Sequence, residues 1–388
     1  MSWKQTTLGQ VADIVSGATP KSDVISYWDG PIAWATPTDL SQLDGKHISK
    51  TIRTISEDGL SACSTRLLPP GSVLFSSRAP IGLVAINTRP MATNQGFKSF
   101  VPKPELNADF LFWWLKSHRR QLEDLGNGAT FKEVSKAVVS RVPFLLPPIM
   151  EQRRIAAILD KADDIRRKRE HSLALVDDFL RSVFVEMFGD QERLDAYEEL
   201  GGHLDFVTSG SRGWAQHYAE RGARFIRSLD VQMNEISDAE VVYVNPPPSA
   251  EADRARVKIG DVLLTITGSR IGRVTDVTKL EGEAYISQHV AIIRTRKTLL
   301  PSFLSYFLSN DSLGQRQIEN MQYGQTKPGL NLRQIRSFML PVPGLDQQLR
   351  FEEILGKIRR HKGSYLQELA QSNDLFSSLS QRAFRGEL

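Results

Sequence analysis

The chain has 388 residues, a formal net charge of +4, and hydrophobic and charged fractions of 40% and 24%. This length predicts two domains with connectors, and these fractions are ordinary for a globular protein. The single cysteine, Cys63, excludes a disulfide framework and a cysteine-ligated metal site. The N-terminus lacks a signal-peptide core and no apolar run approaches the ~20 residues that span a bilayer, so we expect a cytoplasmic protein.

The first half of the chain combines short strands with two helices. A strand-like segment ends at Gly17, and β-branched runs between turn-forming residues follow from Gly71 to Ile86. An aromatic-rich helix is predicted from Ala108 to Arg120, with Trp113 and Trp114 on its buried face. Two prolines then precede a long helix, which its apolar pattern predicts over Glu151 to Met187, about 55 Å in length.

A basic run, Arg166 to Arg169, lies on this long helix beside acidic residues. Such a run is typical of a solvated helix face with nearby ion-pair partners. Contact with DNA or with a partner subunit is the alternative interpretation.

The second half of the chain repeats the first in the same order. The matched segments are Leu8–Gly17 with Leu200–Gly210, Pro69–Ile86 with Val257–Val277, Asn94–Pro102 with Ser287–Thr295, Ala108–Ser117 with Pro301–Asn310, Gly128–Thr130 with Gly324–Thr326, and Leu145–Leu159 with Pro341–Leu355. A second aromatic helix is accordingly predicted over Pro301 to Leu313. Collinear matches of this kind indicate an internal repeat.

The repeat predicts an α+β fold in which two similar domains are separated by two long antiparallel coiled-coil helices. An apolar stripe with a seven-residue period, which includes Ile165, Phe179 and Tyr365, predicts that the two helices pack against each other. A parallel pair would crowd both domains at one end, so we favour the antiparallel arrangement. The predicted boundaries are 1–145 for the first domain, 146–190 for the central helix, 191–340 for the second domain and 341–388 for the C-terminal helix.

Motifs for catalysis are weak. Adenine methyltransferases use an Asn/Asp-Pro-Pro-aromatic loop, in which the aromatic ring stacks on a flipped base. Asn245-Pro246-Pro247 comes close, but Pro248 replaces the aromatic residue and no glycine-rich cofactor loop precedes it. The sequence has no phosphate-binding loop, and its seven histidines lack metal-ligand spacing. Glu281 and Glu283 are interpreted as a charged turn, and we expect no catalytic residues and no metal.

Several segments resemble the specificity subunits of type I restriction-modification systems. They are GATPKSDVISYWDGPIAWATPTDL from Gly17, GSVLFSSRAPIG from Gly71, ATNQGFKSF from Ala92, LPPIMEQRRIAAIL from Leu146, SVFVEMFGD from Ser182 and QRAFRGEL from Gln381. The second half departs more, since DQQLRF replaces the fuller EQRRI pattern and Gly356 and Gly363 weaken its helix.

The resemblance implies a non-enzymatic subunit with two target-recognition domains, each of which reads half of a split DNA site. It implies two central helices that dock two adenine methyltransferase subunits, with S-adenosylmethionine bound by those partners rather than by this chain. Motor-nuclease restriction subunits are further partners. A DNA-binding scaffold or regulator that is not coupled to methylation is the alternative function.

Candidate DNA-binding residues combine turn positions with side chains that contact bases or phosphates. Arg78 and Arg270 lie in matched turns, as do the Asn94-Gln95 and Ser287-Gln288 pairs. The other candidates occupy early loops or follow matched glycines; they are Thr19, Lys21, Thr130, Lys132, Arg212, Gln325, Thr326 and Lys327. Turn hydrogen bonds and ordinary surface polarity are the alternative roles for each residue.

Overall fold

The computed structural model describes residues 3–78, 80–127, 132–189, 197–323 and 329–388. The chain divides into two compact units, each with one mixed domain and half of each long helix. The first unit comprises Met1–Glu170 and Gln367–Leu388, and the second comprises His171–Leu366. None of the helices in the described ranges is long and apolar enough to cross a membrane.

Within its described residues the first unit contains ten strands, and the first long helix begins in it. In chain order its elements are β1 (Lys4–Thr7), α1 (Leu8–Val11), β2 (Ala12–Ser16), a 3-10 turn (Ile25–Tyr27), β3 (Trp28–Ala35), α2 (Pro37–Ser41), β4 (His47–Ile48), β5 (Thr54–Ile55), α3 (Glu57–Ser61), β6 (Val73–Phe75), β7 (Val84–Asn87), β8 (Met91–Thr93), β9 (Lys98–Pro102), α4 (Ala108–Ser117), α5 (Arg119–Asp124), α6 (Lys136–Ser140), β10 (Pro143–Leu146) and α7 (Ile149–Phe188). Its sheets have the orders β2-β9-β6-β7-β4, β5-β3-β8 and β1-β10.

The second unit repeats this plan. Its elements are β11 (Tyr197–Glu199), a 3-10 turn (Leu200–His203), β12 (Leu204–Ser209), a 3-10 turn (Trp214–His217), β13 (Tyr218–Ala219), β14 (Ala223–Ile226), β15 (Val231–Gln232), β16 (Glu235–Ile236), β17 (Tyr243–Val244), α8 (Ala250–Ala255), β18 (Asp261–Thr265), β19 (Val274–Asp276), β20 (Ala284–Ile286), β21 (Val290–Thr295), α9 (Pro301–Ser309), a π turn (Asp311–Gln315), α10 (Arg316–Met321), α11 (Leu332–Arg336), β22 (Met339–Pro341) and α12 (Leu345–Arg385). Its sheets have the orders β12-β21-β18-β19, β13-β17-β14-β20, β15-β16 and β11-β22. The first, second and last of these correspond to the three sheets of the first unit, although the first has four strands rather than five and the second has four rather than three.

A buried glutamine near the start of each long helix explains one of the repeated motifs. The amide of Gln152 accepts from the Asn107 N–H at 2.8 Å and donates to the carbonyls of Glu105 and Pro147 at 2.9 and 2.8 Å. Gln348 makes the same three bonds in the second unit, with the Leu300 N–H and the Thr298 and Pro343 carbonyls. Both side chains are fully buried. The glutamine therefore joins the loop before the aromatic helix to the start of the long helix.

The two long helices run antiparallel within each unit. In the first unit Arg154 donates to the carbonyl of Leu388, and Arg169 donates to that of Glu368. In the second unit Lys362 pairs with Asp177 at 2.7 Å, and Phe184 packs against Phe351 with ring centroids 5.3 Å apart. The predicted α+β fold, with two repeated domains and two long antiparallel helices, is confirmed.

The predicted apolar stripe is correct near the domains and wrong further along the helices. Ile155, Leu159 and Phe351 are fully buried in the two cores, and the helix containing Gly356 and Gly363 is continuous. Three residues assigned to the stripe are exposed instead: Ile165 by 41%, Phe179 by 55% and Tyr365 by 39%. The fully buried residues of the long helices therefore lie against the aromatic cores, and the seam between the helices is interrupted by exposed positions.

Each predicted aromatic helix is shorter than its pattern indicated. The first ends at Ser117, because His118 leaves helical geometry and stacks on Trp114 at 4.1 Å. The second ends at Ser309, because Asn310 is extended and its side chain accepts from the Ser312 N–H. Trp113 and Trp114 are buried as predicted.

The arginines of the basic run pair with nearby carboxylates, as the solvated-face interpretation predicts. Arg166 contacts Asp163 at 2.7 Å, Arg167 pairs with Asp44, and Arg169 lies 3.6 Å from Glu368.

Candidate functional site

In the first unit, three loops meet at the end of β2. The Gly17 N–H donates to the Phe97 carbonyl at 3.3 Å, and the Ser77 N–H donates to the Gly96 carbonyl at 2.8 Å. A Cβ at Gly17 would lie 2.0 Å from the Asn94 carbonyl oxygen, so only glycine permits this approach. The loops that carry Thr19, Arg78 and Gln95 are therefore adjacent.

Two tryptophans fix the first of these loops. The Trp34 indole N–H donates to the Ala18 carbonyl at 3.0 Å, and the Trp28 indole N–H donates to the Lys21 carbonyl at 3.2 Å. The rings pack edge to face with centroids 5.2 Å apart. This pair holds the backbone of the loop while the side chains of Thr19 and Lys21 remain exposed.

Asn94 and Gln95 have different environments. The Asn94 side chain accepts from the Gly96 N–H at 2.9 Å and so closes its own turn. Gln95 is exposed and accepts a hydrogen bond from the Thr19 hydroxyl. Gln95 consequently keeps its amide N–H donors at the surface, whereas the Asn94 side-chain oxygen stabilises the turn.

Arg78 and Lys132 flank the same loops. Arg78 forms an isolated β-bridge with Glu133, and both Arg78 and Lys132 are exposed. The carboxylate of Glu133 pairs with the nearly buried Lys98 at 3.0 Å. Thr19, Lys21, Arg78, Gln95 and Lys132 thus form one polar surface in the first unit.

A cleft of about 550 Å³ adjoins this surface. It is lined by Thr36, Pro37, Thr38, Ser41, Ile52, Arg53, Pro80 and Asn94. The Arg53 guanidinium carbon lies 3.6 Å from the Trp28 ring centroid and 5.8 Å from that of Trp34. Sequence reasoning missed Arg53, because no repeat and no local motif marks it.

The second unit arranges its matched loops in the same way. The Ser287 N–H donates to the Ile226 carbonyl at 2.9 Å, as the Asn94 N–H does to that of Ala35 at 3.0 Å. Ser287 Oγ accepts from the His289 N–H at 3.4 Å, which matches the bond from the Gly96 N–H to the Asn94 side chain. Gln288 therefore occupies the position of Gln95.

Gln288 and His289 form a small polar group with Thr267. The Gln288 amide lies 3.1 Å from His289 Nε2, and the Thr267 hydroxyl lies 2.5 Å from His289 Nδ1. Gln288 Oε1 is buried and has no hydrogen-bond partner among the described residues.

Arg78 and Arg270 lie in matched turns of the two units, but not at equivalent positions of those turns. The turn is closed by the Gly82 N–H on the Ser76 carbonyl in one unit and by the Gly272 N–H on the Thr265 carbonyl in the other. The second turn has one extra residue, and its Arg270 lies 3.4 Å from the Leu229 carbonyl. The equivalent of Arg78 is Thr267: Arg78 forms its β-bridge with Glu133, and Thr267 forms the matching β-bridge with Gly329.

The remaining candidates fall into two groups. Arg212 is exposed on the loop after β12, where Thr19 stands in the first unit. The others lie outside the described residues: Thr130, Gln325, Thr326 and Lys327.

The two segments that come nearest to catalytic motifs have structural roles. Asn245 to Pro248 form a loop before Ser249, which caps α8 by accepting from the Ala252 N–H. Glu283 pairs with Arg256 at 2.5 Å, as a charged turn would. No group of three potential metal ligands is found within the part of the chain that the structure describes.

Comparison with known proteins identifies the relatives of the chain. It is 32% identical over 192 residues to the type I restriction enzyme MjaIX specificity subunit of Methanocaldococcus jannaschii, a match that covers 49% of this chain and 44% of that one. It is 21% identical to the EcoBI specificity subunit of Escherichia coli, across 100% of this chain and 86% of the relative. The chain thus spans less than half of the first relative and most of the second.

Two solved structures share the fold. A chain from a type I restriction-modification system, solved to describe complex assembly and conformational transition, superposes with a TM-score of 0.60 at 18% identity and covers 100% of this chain and 98% of its own. The specificity subunit of the type I system of M. genitalium superposes with a TM-score of 0.56 at 14% identity, over 98% and 96% of the two chains.

A family profile decides the assignment. The profile described as the type I restriction modification DNA specificity domain matches residues 1–174 and 234–369. These ranges cover most of the chain and include matched loops of both units. The predicted resemblance to specificity subunits, which are non-catalytic, is confirmed. The chain belongs to the type I restriction-modification DNA specificity family.

Proposed function

We propose that this chain recognises a two-part DNA sequence and directs partner adenine methyltransferase and restriction subunits to it. The observation that carries the proposal is the repeated loop surface, in which Gln95 and Gln288 occupy equivalent turns of the two units. A repeated frame suits the reading of two half-sites, and side chains that differ at matched positions, such as Thr19 and Arg212, suit two different sequences. The specificity-subunit names of the relatives support the same function.

The candidate side chains provide the contacts that such a function needs. Glutamine makes bidentate contacts with adenine, while arginine and lysine contact guanine or phosphate. We propose the domains 1–145 and 191–340 as the two readers. The proposed contacts in the first are Thr19, Lys21, Arg78, Asn94, Gln95, Thr130 and Lys132; those in the second are Arg212, Arg270, Ser287, Gln288, Gln325, Thr326 and Lys327.

The chemistry belongs to the partners in this proposal. Two methyltransferase subunits would bind S-adenosylmethionine and transfer the methyl group, in the cytoplasm where the DNA lies. Apolar side chains exposed on the long helices, such as Leu175, Phe179 and Leu375, support docking of a partner along them.

Co-expression with the cognate methyltransferase tests the proposal. Adenine methylation mapped across a random DNA library should appear at one two-part sequence when both proteins are present. The chain alone, supplied with S-adenosylmethionine, should transfer no methyl group. Replacing residues 1–145 by the same domain of a relative should change one half of the target only. Methylation at unrelated sites, or a change in both halves together, would contradict the proposal.

A further inference from the structure

The cleft of the first unit is lined by an arginine that stacks on a tryptophan. Arg53 is exposed and its guanidinium lies over Trp28, 3.6 Å from the ring centroid. Within the described ranges, no carboxylate pairs with it. An indole face attracts a cation and covers one side of the guanidinium plane, which leaves the N–H donors at its edge available to another molecule.

A buried carboxylate fixes the backbone around Arg53. Asp39 Oδ1 accepts from the Ile52 N–H at 2.7 Å, and its Oδ2 accepts from the Thr36 N–H at 2.8 Å. The Trp34 N–H donates to the Arg53 carbonyl at 3.3 Å. The backbone on both sides of the Arg53 side chain is therefore fixed in the free protein, so binding a ligand needs little further ordering of this segment.

The second unit contains the matching turn and strand pair without the arginine. The Asp230 carboxylate accepts from the Arg227 N–H at 2.7 Å, as Asp39 does from Thr36. The Phe225 N–H donates to the Val242 carbonyl at 2.8 Å, so Val242 occupies the position of Arg53. Arg227 in that turn is paired with Asp230 at 2.9 Å. Because the strand pair forms with valine in the second unit, the pairing itself does not need an arginine side chain at this position.

We propose that Arg53 reads a guanine in the major groove of the half-site bound by the first unit. Arginine donates two parallel hydrogen bonds to guanine O6 and N7, which requires a fixed, planar and unpaired guanidinium. The stack on Trp28 and the backbone held by Asp39 provide this arrangement. Ile52, exposed by 66% at the rim, lies beside it as an apolar contact for a neighbouring base. This inference rests on the proposed function.

Arg53→Ala, Arg53→Lys and Arg53→Met test the assignment in the full chain bound to its methyltransferase partner. Arg141→Ala is the matched control, because Arg141 is exposed beside α1 at the opposite end of β2. Each protein is used to select duplexes from a library with randomised half-sites. Base preference at every position and the salt dependence of binding are then measured.

Arg53→Ala should lower the preference for guanine at one position of one half-site by roughly 5- to 150-fold, and leave the other half-site unchanged. Arg53→Lys should lose most of that preference while its salt dependence stays close to wild type, since the charge remains. Arg53→Met preserves apolar packing on Trp28, so it reports the same loss if the alanine variant unfolds.

Two results would overturn the inference. Equal weakening on all sequences with a smaller salt dependence would make Arg53 a phosphate contact, and unchanged preference would remove it from the interface. In both cases the wild type would still select a two-part sequence, so the proposed function would stand. If the wild type selects no sequence, the proposed function itself fails.

Discussion

The buried glutamines at the starts of the long helices give the sharpest stability prediction. Replacing Gln152 by leucine keeps the volume but leaves the Asn107 N–H and the Pro147 carbonyl without their partner. Each unpaired buried group costs about 1–3 kcal/mol, so the free energy of unfolding should fall by roughly 2–6 kcal/mol. In a unit of this size, that corresponds to a decrease in melting temperature of about 4–24 °C.

Tryptophan fluorescence suits this measurement, because the tryptophans are unevenly distributed. Five of the six lie in the first unit, and the second contains one; they are Trp3, Trp28, Trp34, Trp113, Trp114 and Trp214. Gln152→Leu should shift the fluorescence transition in urea, and Gln348→Leu should destabilise the second unit by a similar free energy. Gln371→Leu, at an exposed position of α12, is the control. A loss for Gln152→Leu no larger than that of the control would refute the role of the glutamine.

Three further predictions concern an ion pair, a titration and the matched turns. Arg359→Met leaves Asp276 buried and unpaired, which should cost about 3–5 kcal/mol in denaturant unfolding, and adding Asp276→Asn should recover part of that loss. Burial lowers the pKa of His118, so stability should be full above its ordinary value of about 6.5 and fall as the pH drops below it; His118→Phe should remove this dependence from melting curves. Gln95→Ala and Gln288→Ala should each relax base preference in a different half-site, by roughly 1–3 kcal/mol in library selection; a change in both half-sites from either variant would contradict separate reading.

Local patterns in the sequence predicted the architecture well. Two local signals predicted the long helices: the prolines that precede them and the apolar periodicity along them. Both helices, α7 and α12, are present. The matched glycines lie at the same close backbone approach in both units: a Cβ at Gly210 would lie 2.3 Å from the Ile286 carbonyl oxygen, and one at Gly17 would lie 2.0 Å from that of Asn94. Sequence alone was sufficient where a single turn or helix face imposed the requirement.

Features that depend on distant residues could not be predicted in this way. The end of α4 at His118 depends on the ring stack with Trp114, and the exposure of Phe179 depends on which helix face the core occupies. The cleft needs Trp28, Trp34 and Arg53, which only strand pairing brings together. The sequence spacing of these residues carries no period, so no pattern search would detect them.

The divergence between the matching turns of the two units fits the proposal that one fold reads two different half-sites. Asp39 and Asp230 are both buried and both close the turn after the parallel strand pair, so the backbone there is fixed in each unit. On this fixed backbone, Thr36 corresponds to Arg227, and Arg53 corresponds to Val242. Each carboxylate accepts a backbone N–H from the residue three positions earlier, and this bond forms with either threonine or arginine there. If the rim side chains contact DNA as proposed, base preference can change in one unit while the buried carboxylate keeps the turn.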